Sequence, residues 1–166
     1  LTQNVSCTAK LMTPADLYQL HVNNKLFYDR ERLQRLLKTW HDSKINSYLS
    51  TAFNGASLKD CFQLAEIKPI VDYLKTKLVP NEQNYSFIED NLNYFTGILE
   101  KRFEYLVLDG QHRIDTFVRY FNNEFYFTPE NLIRLQVKGE KGTIDVKGKF
   151  DKLPEEIQDY LMHDIP

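Results

Sequence analysis

Cysteine is nearly absent: the 166 residues contain two, Cys7 and Cys61. Two sulfurs so far apart build neither a disulfide framework nor a zinc site, and they point to a reducing cytoplasm. No apolar run reaches the roughly 18 residues that cross a bilayer, so no membrane span is expected. Neither sign of charge dominates, since 21 Lys and Arg stand against 23 Asp and Glu for a formal net charge of -2. That balance excludes a strongly basic DNA-coating protein, whose electrostatic footprint makes the whole domain basic, but leaves room for a local basic face. Six Gly and six Pro are too few for a low-complexity chain. There is no internal repeat. The opening Leu1-Thr2-Gln3-Asn4 has neither an initiator Met nor a signal-peptide core. A processed or excised chain is therefore expected.

What is abundant is aromatic: ten Tyr, eleven Phe and one Trp make up 13% of the chain. Such a supply of core formers excludes disorder. At this length folding hides roughly 70% of the unfolded surface, enough for one core without disulfide or metal support. A single domain over residues 1–166 is expected, of mixed α/β (α+β) class, with four or five short strands in one sheet and more helix than strand.

The first two thirds read mainly as helix. Thr13-Pro14-Ala15-Asp16 opens one, with a capping residue before Pro at the first helical position, and Asn23-Asn24 stops it. Residues 1–26 thus form a helical extension. Asp29 to Thr39 and Asp42 to Asn54 are two more candidates, the latter followed by Gly55 where a left-handed cap is wanted. Cys61 to Ile67 reads as a strand. Helices over Pro69 to Leu78 and from a capping box at Ser86-Phe87-Ile88-Glu89 make residues 68–101 a helical insert. Glu104 to Leu108 is an apolar run of strand length. Beyond Asp109-Gly110, Ile114, Phe117, Val118 and Phe121 recur at i, i+3, i+4 and i+7, the spacing of a helix with one buried face. Phe125 to Phe127 reads as a further strand, Leu132 to Lys138 and Thr143 to Phe150 as a hairpin, and Leu153-Pro154 opens a last helix to about His163.

The segment that can carry chemistry is Leu108-Asp109-Gly110-Gln111-His112-Arg113. A glycine at a strand end permits a sharp turn, and the helix that follows presents unpaired N–H groups and the positive end of its dipole. Anions are attracted there. Arg113 offers a planar fork suited to phosphate, and Thr116, three residues on, shares its helix face and could donate a hydroxyl. Asp109 could hold a cation, orient water or cap the helix. The plainer reading is an N-cap turn with a solvated arginine. Among the other candidates, His21, His41 and His163 are isolated and read as surface or capping histidines, Trp40 as core, and Asp115 as an exposed carboxylate beside Arg113. The lysines Lys138, Lys141, Lys147, Lys149 and Lys152 read as a solvated hairpin or as an edge that tracks a DNA backbone.

The string Leu-Asp-Gly-Gln-His-Arg, set between a strand and an apolar-faced helix, resembles the signature of the ParB/sulfiredoxin-like superfamily. The likeness is to its DGQHR type, including the N-terminal domains of GmrSD-type restriction enzymes and the DndB-like proteins. A second stretch is similar to the opening of that group: Arg30, Arg32, Gln34 and Arg35, then Trp40, Lys44, Ser50 and Gly55. A third, Phe150, Leu153, Pro154 and Glu155, resembles its Phe-x-x-Leu-Pro element. The likeness covers about residues 27 to 166. Two departures are His112 in place of the commoner Gln and four residues, where three are common, between Arg35 and Trp40.

The resemblance implies a small mixed sheet with surrounding helices and a pocket for a nucleotide or a nucleic-acid phosphate. Asp109, His112 and Arg113 would be catalytic. Gly110, Gln111, Arg113, Thr116 and one of Arg30, Arg32 or Arg35 would bind phosphate, with Mg²⁺ and an NTP as cofactor and substrate and Asp109 as the metal-orienting carboxylate. His112 could act as acid or base near neutral pH, or serve only a structural hydrogen bond. The expected activity is NTP hydrolysis or DNA cleavage in a restriction, defence or phage-encoded setting. The expected partners are nucleotide or DNA and a C-terminal nuclease domain or subunit. The alternatives are a regulatory module that binds nucleotide or DNA without turnover, and an interaction protein in which the turn is a relic.

Overall fold

A computed structural model describes residues 10–29, 40–54, 62–136 and 141–164. Its elements are helix α1 (Pro14–Val22), strand β1 (Leu26–Phe27), α2 (Asp42–Phe53), β2 (Gln63–Glu66), α3 (Ile67–Lys77) and α4 (Tyr85–Glu100). Then come β3 (Tyr105–Asp109), α5 (Gln111–Phe121), β4 (Ile133–Leu135), β5 (Ile144–Val146) and α6 (Glu155–Asp159). Among the described residues helix outweighs strand, the class is mixed α+β, and no helix is long and apolar enough to cross a membrane.

β3 organises the centre. It pairs in parallel with β1, Leu26 opposite Tyr105, and antiparallel with β2, Leu64 opposite Val107. Its successive residues Leu106 and Val107 are both buried, on opposite faces of the pleat. Val107 packs with Leu26 and with Ile114 and Val118 of α5, while Leu106 packs with Ile67, Val71 and Ile98 of the α3–α4 pair. Cover on both faces is why this segment reads as a continuous apolar run. The larger core lies between α2, α5 and the β4–β5 hairpin, around Ile45, Leu49, Phe53, Phe117, Tyr120, Phe127 and Val146.

Several expectations need correction. The sheet is divided, with order β1-β3-β2 in one part and β4-β5 in the other. β1 has two residues, too few to leave a pattern. Phe125 to Phe127 contributes one bridge, Phe127 to Gly148, because the 3₁₀ turn Pro129–Asn131 interrupts the ladder. The Ser86 capping box does not form: Asn81 turns at positive φ, Tyr85 already bonds back to Glu82, and the helix starts ahead of Ser86. The last helix is the short α6 followed by a π-helical turn, Tyr160–Asp164. At α1 the Thr13 hydroxyl accepts from Asp16 N–H and the Asp16 carboxylate from Thr13 N–H, a full capping box. The candidate helix over residues 30–39, Gly55 and both cysteines lie outside the described residues.

Candidate functional site

Between β2 and β3 the register shifts by one. Ala65 faces Leu106 and Leu64 faces Val107, yet Gln63 faces Asp109, so Leu108 is the extra residue of a bulge. A bulge bends its strand and re-aims the side chains around it. Leu108 and Asp109 are accordingly exposed, while the residues before them are buried.

Gly110 follows at φ 99° as the N-cap of α5. Its N–H donates to its neighbour's carboxylate, Asp109 Oδ1, at 2.8 Å, and its carbonyl accepts from Ile114 N–H at 3.0 Å, the first bond of the helix. A Cβ on Gly110 would stand 2.5 Å from Cδ1 of Phe62, so both backbone conformation and packing demand glycine. Asp109 therefore holds the turn with one oxygen and does not serve as the cap.

Around this turn lies an open cavity of about 140 Å³, lined by Trp40, Asp109, Gly110, Gln111, His112 and Arg113. The space has room for a few waters or for a phosphoryl group. The wall carries one carboxylate, Asp109, against the Arg113 guanidinium, the N-terminus of α5 and the imidazole of His112. The Arg113 guanidinium lies 5.9 Å from the Phe62 ring centroid. The Trp40 indole and the His112 imidazole are stacked, with 7° between planes and 5.4 Å between centroids, and the Lys44 ammonium sits 4.4 Å from the indole centroid.

Five of the sequence-derived candidates, Asp109, Gly110, Gln111, His112 and Arg113, thus share one pocket. Thr116 does not join them. It is buried, and its hydroxyl donates to the His112 carbonyl at 2.7 Å, the i−4 bond that helical threonines favour. Arg30, Arg32 and Arg35 lie outside the described residues, as does Lys138; Lys141, Lys147, Lys149 and Lys152 are exposed. Asp115 is half-buried, and burial raises its carboxyl above the usual range against the opposing pull of Arg119. His21 is also half-buried: its Nδ1 lies 3.1 Å from the Tyr28 hydroxyl, and burial lowers its imidazole against the carboxylates of Asp115 and Glu124. His41 and His163 are exposed.

No group of three or more His, Cys, Asp or Glu able to hold a metal occurs among the described residues. Mg²⁺ needs less, since it is commonly held by one or two carboxylates with substrate phosphates and water completing its shell. Asp109 is the one carboxylate on the pocket wall, and one of its oxygens is already engaged by Gly110 N–H.

Two residues at the site, Phe62 and Tyr48, were not among the sequence-derived candidates, and Trp40, expected as core, forms pocket wall. Phe62 closes over the turn. Tyr48 packs edge-on to Trp40 at 5.6 Å and to Phe117 at 5.7 Å, and its buried hydroxyl has no hydrogen-bond partner among the described residues. Burial pushes its phenol up to about 12, while the nearby Arg113 charge acts the other way. The available signal was Tyr48 two helical turns beyond Trp40; for Phe62 there was none. No family model, curated protein or solved structure matches the chain.

Proposed function

We propose that the chain is a ParB/sulfiredoxin-like domain of the DGQHR type that binds a nucleotide or nucleic-acid phosphate at the β3–α5 turn and acts on it. One observation carries the reading: Asp109, Gly110, Gln111, His112 and Arg113 line a single phosphoryl-sized cavity at the N-terminus of an 11-residue helix. Backbone N–H groups there suit phosphate oxygens, and Arg113 adds charge-assisted bonds that strengthen as negative charge develops.

Arg113 neutralises the phosphoryl oxygens from the pocket wall, and the resemblance adds one of Arg30, Arg32 or Arg35 to that role. Gln111 positions phosphate or water. Asp109 orients the attacking water or the Mg²⁺ that accompanies an NTP, and that ion would supply charge neutralisation between adjacent phosphates. The stacked His112 takes the proton of the water as its oxygen bonds to phosphorus. The bond from phosphorus to the leaving phosphate oxygen breaks with its electrons on that oxygen. In a restriction or defence setting this turnover would license a nuclease on a partner subunit or a further region. A binding-only regulatory module is the second reading, favoured by the lone carboxylate on the pocket wall.

The test is Mg²⁺-dependent phosphate release from each NTP, with and without DNA, by wild type, Asp109→Ala and Arg113→Ala. Loss of turnover in both variants is expected. Equal turnover in all three contradicts the catalytic reading, and tight NTP binding without turnover selects the binding module.

A further inference from the structure

A phosphoryl group seated against the N-terminus of α5 would leave the rest of the open cavity's wall to decide what the remainder of a ligand touches. That wall includes Trp40, the one Trp in the chain. Its indole is held on the near-parallel imidazole of His112 and braced edge-on by Tyr48. It is also covered by a mobile type of group, the ammonium of exposed Lys44, 4.4 Å from the ring centroid.

We infer that Trp40 is a stacking platform for an aromatic base, and that Lys44 occupies its indole only until a nucleobase replaces it. The inference rests on the phosphate reading of the pocket and narrows it to ligands that carry a base: nucleoside phosphates or the terminal nucleotide of an unpaired strand. Magnitudes favour the exchange. An exposed cation over an indole contributes about 2- to 5-fold to an equilibrium. A base stacked on an aromatic side chain contributes about 5- to 150-fold, and every base has a π-face to offer. His112 and Tyr48 pack against the indole and fix its orientation before a ligand arrives, which lowers the ordering cost of binding.

Because Trp40 is the sole Trp, the protein carries its own reporter. The whole chain is titrated with ATP, with GTP and with inorganic triphosphate, each with Mg²⁺, following tryptophan emission and, by calorimetry, affinity. Stacking is expected to quench emission with both nucleotides and to make them about 5- to 150-fold tighter than inorganic triphosphate. Inorganic triphosphate should bind without quenching. Trp40→Leu should abolish the preference for nucleotide over inorganic triphosphate, a ratio that stands whatever the loss of this wall residue does to phosphate binding itself, while Trp40→Phe should keep part of the preference. Equal affinities for nucleotide and inorganic triphosphate, with unchanged emission, overturn the stacking platform and leave the phosphate pocket standing. Absence of binding by all three removes the phosphate reading itself and this inference with it.

Discussion

Gly110 and Phe62 are fitted to one another so closely that the ring leaves no room for a side chain: a Cβ on Gly110 would stand 2.5 Å from Cδ1 and 3.2 Å from Cε1 of Phe62. The same glycine has φ 99°, where other residues are strained. Gly110→Ala is therefore expected to lower unfolding free energy by about 1–3 kcal/mol in urea titrations. Phe62 also packs against two core clusters, so the comparison is a cycle: Gly110→Ala should cost less in a Phe62→Ala background than in wild type, because the clash is gone. The backbone strain stays, so a cost of zero in that background would show that the φ angle costs nothing.

Tyr120 is fully buried among Phe53, Phe121, Phe127 and Phe150, and its hydroxyl has no hydrogen-bond partner among the described residues. Burial drives its phenol well above the usual range. An orphaned buried hydroxyl costs about 1–3 kcal/mol, while a phenyl ring fills the same space. Tyr120→Phe is expected to raise the melting temperature. A drop would show that the hydroxyl has a partner.

The hairpin is pinned by one side chain. Asn54, at the end of α2, donates to the Arg134 carbonyl at 3.0 Å and accepts from Gln136 N–H at 3.0 Å, so its amide pairs with the β4 backbone as a strand would. At about 0.5–1.5 kcal/mol per bond, Asn54→Ala should cost about 1–2 kcal/mol. Hydrogen exchange at Gln136 should also speed up. Unchanged exchange there would contradict the pinning.

How much of this was legible beforehand varies with the length of each signal. The strand, turn and helix from Tyr105 to Phe121 were readable because an apolar run and a 3.6-residue stripe adjoin there, and the Thr13 cap of α1 was readable because Pro14 follows it directly. The five pocket residues came with them. Other features had no local trace. The Leu108 bulge depends on the register with β2, and the Trp40–His112 stack joins positions 72 apart in the chain. Thr116 was misjudged for an energetic reason, since its own i−4 carbonyl is a nearer acceptor than any ligand. Phe125 to Phe127 makes one bridge instead of a strand because of a 3₁₀ turn that a hairpin pattern does not announce.

His21 makes stability depend on pH. Burial holds its folded-state pKa below the ordinary value of 6.5, despite the opposing Asp115 and Glu124 carboxylates. A depressed folded-state pKa contributes stability that is present in full above 6.5 and lost as pH falls through the folded value. Asp115 has the opposite sign: its raised carboxyl contributes stability at low pH that is lost as pH rises through its folded value. The His21 contribution to melting temperature should therefore fall as pH drops below about 6.5, and His21→Gln should lose less over that range. Parallel curves for the two proteins would remove His21 from the pH response.

The phosphate pocket itself is tested most directly by calorimetric titration of nucleoside triphosphate with Mg²⁺ into wild type and Arg113→Ala. Wild type is expected to bind one equivalent. Loss of hydrogen bonds to a charged phosphate should weaken the variant by about 10- to 150-fold while its melting temperature stays close to that of wild type. Equal affinity in the two proteins, or no heat with any triphosphate, would contradict a phosphate site at the Asp109 to Arg113 turn.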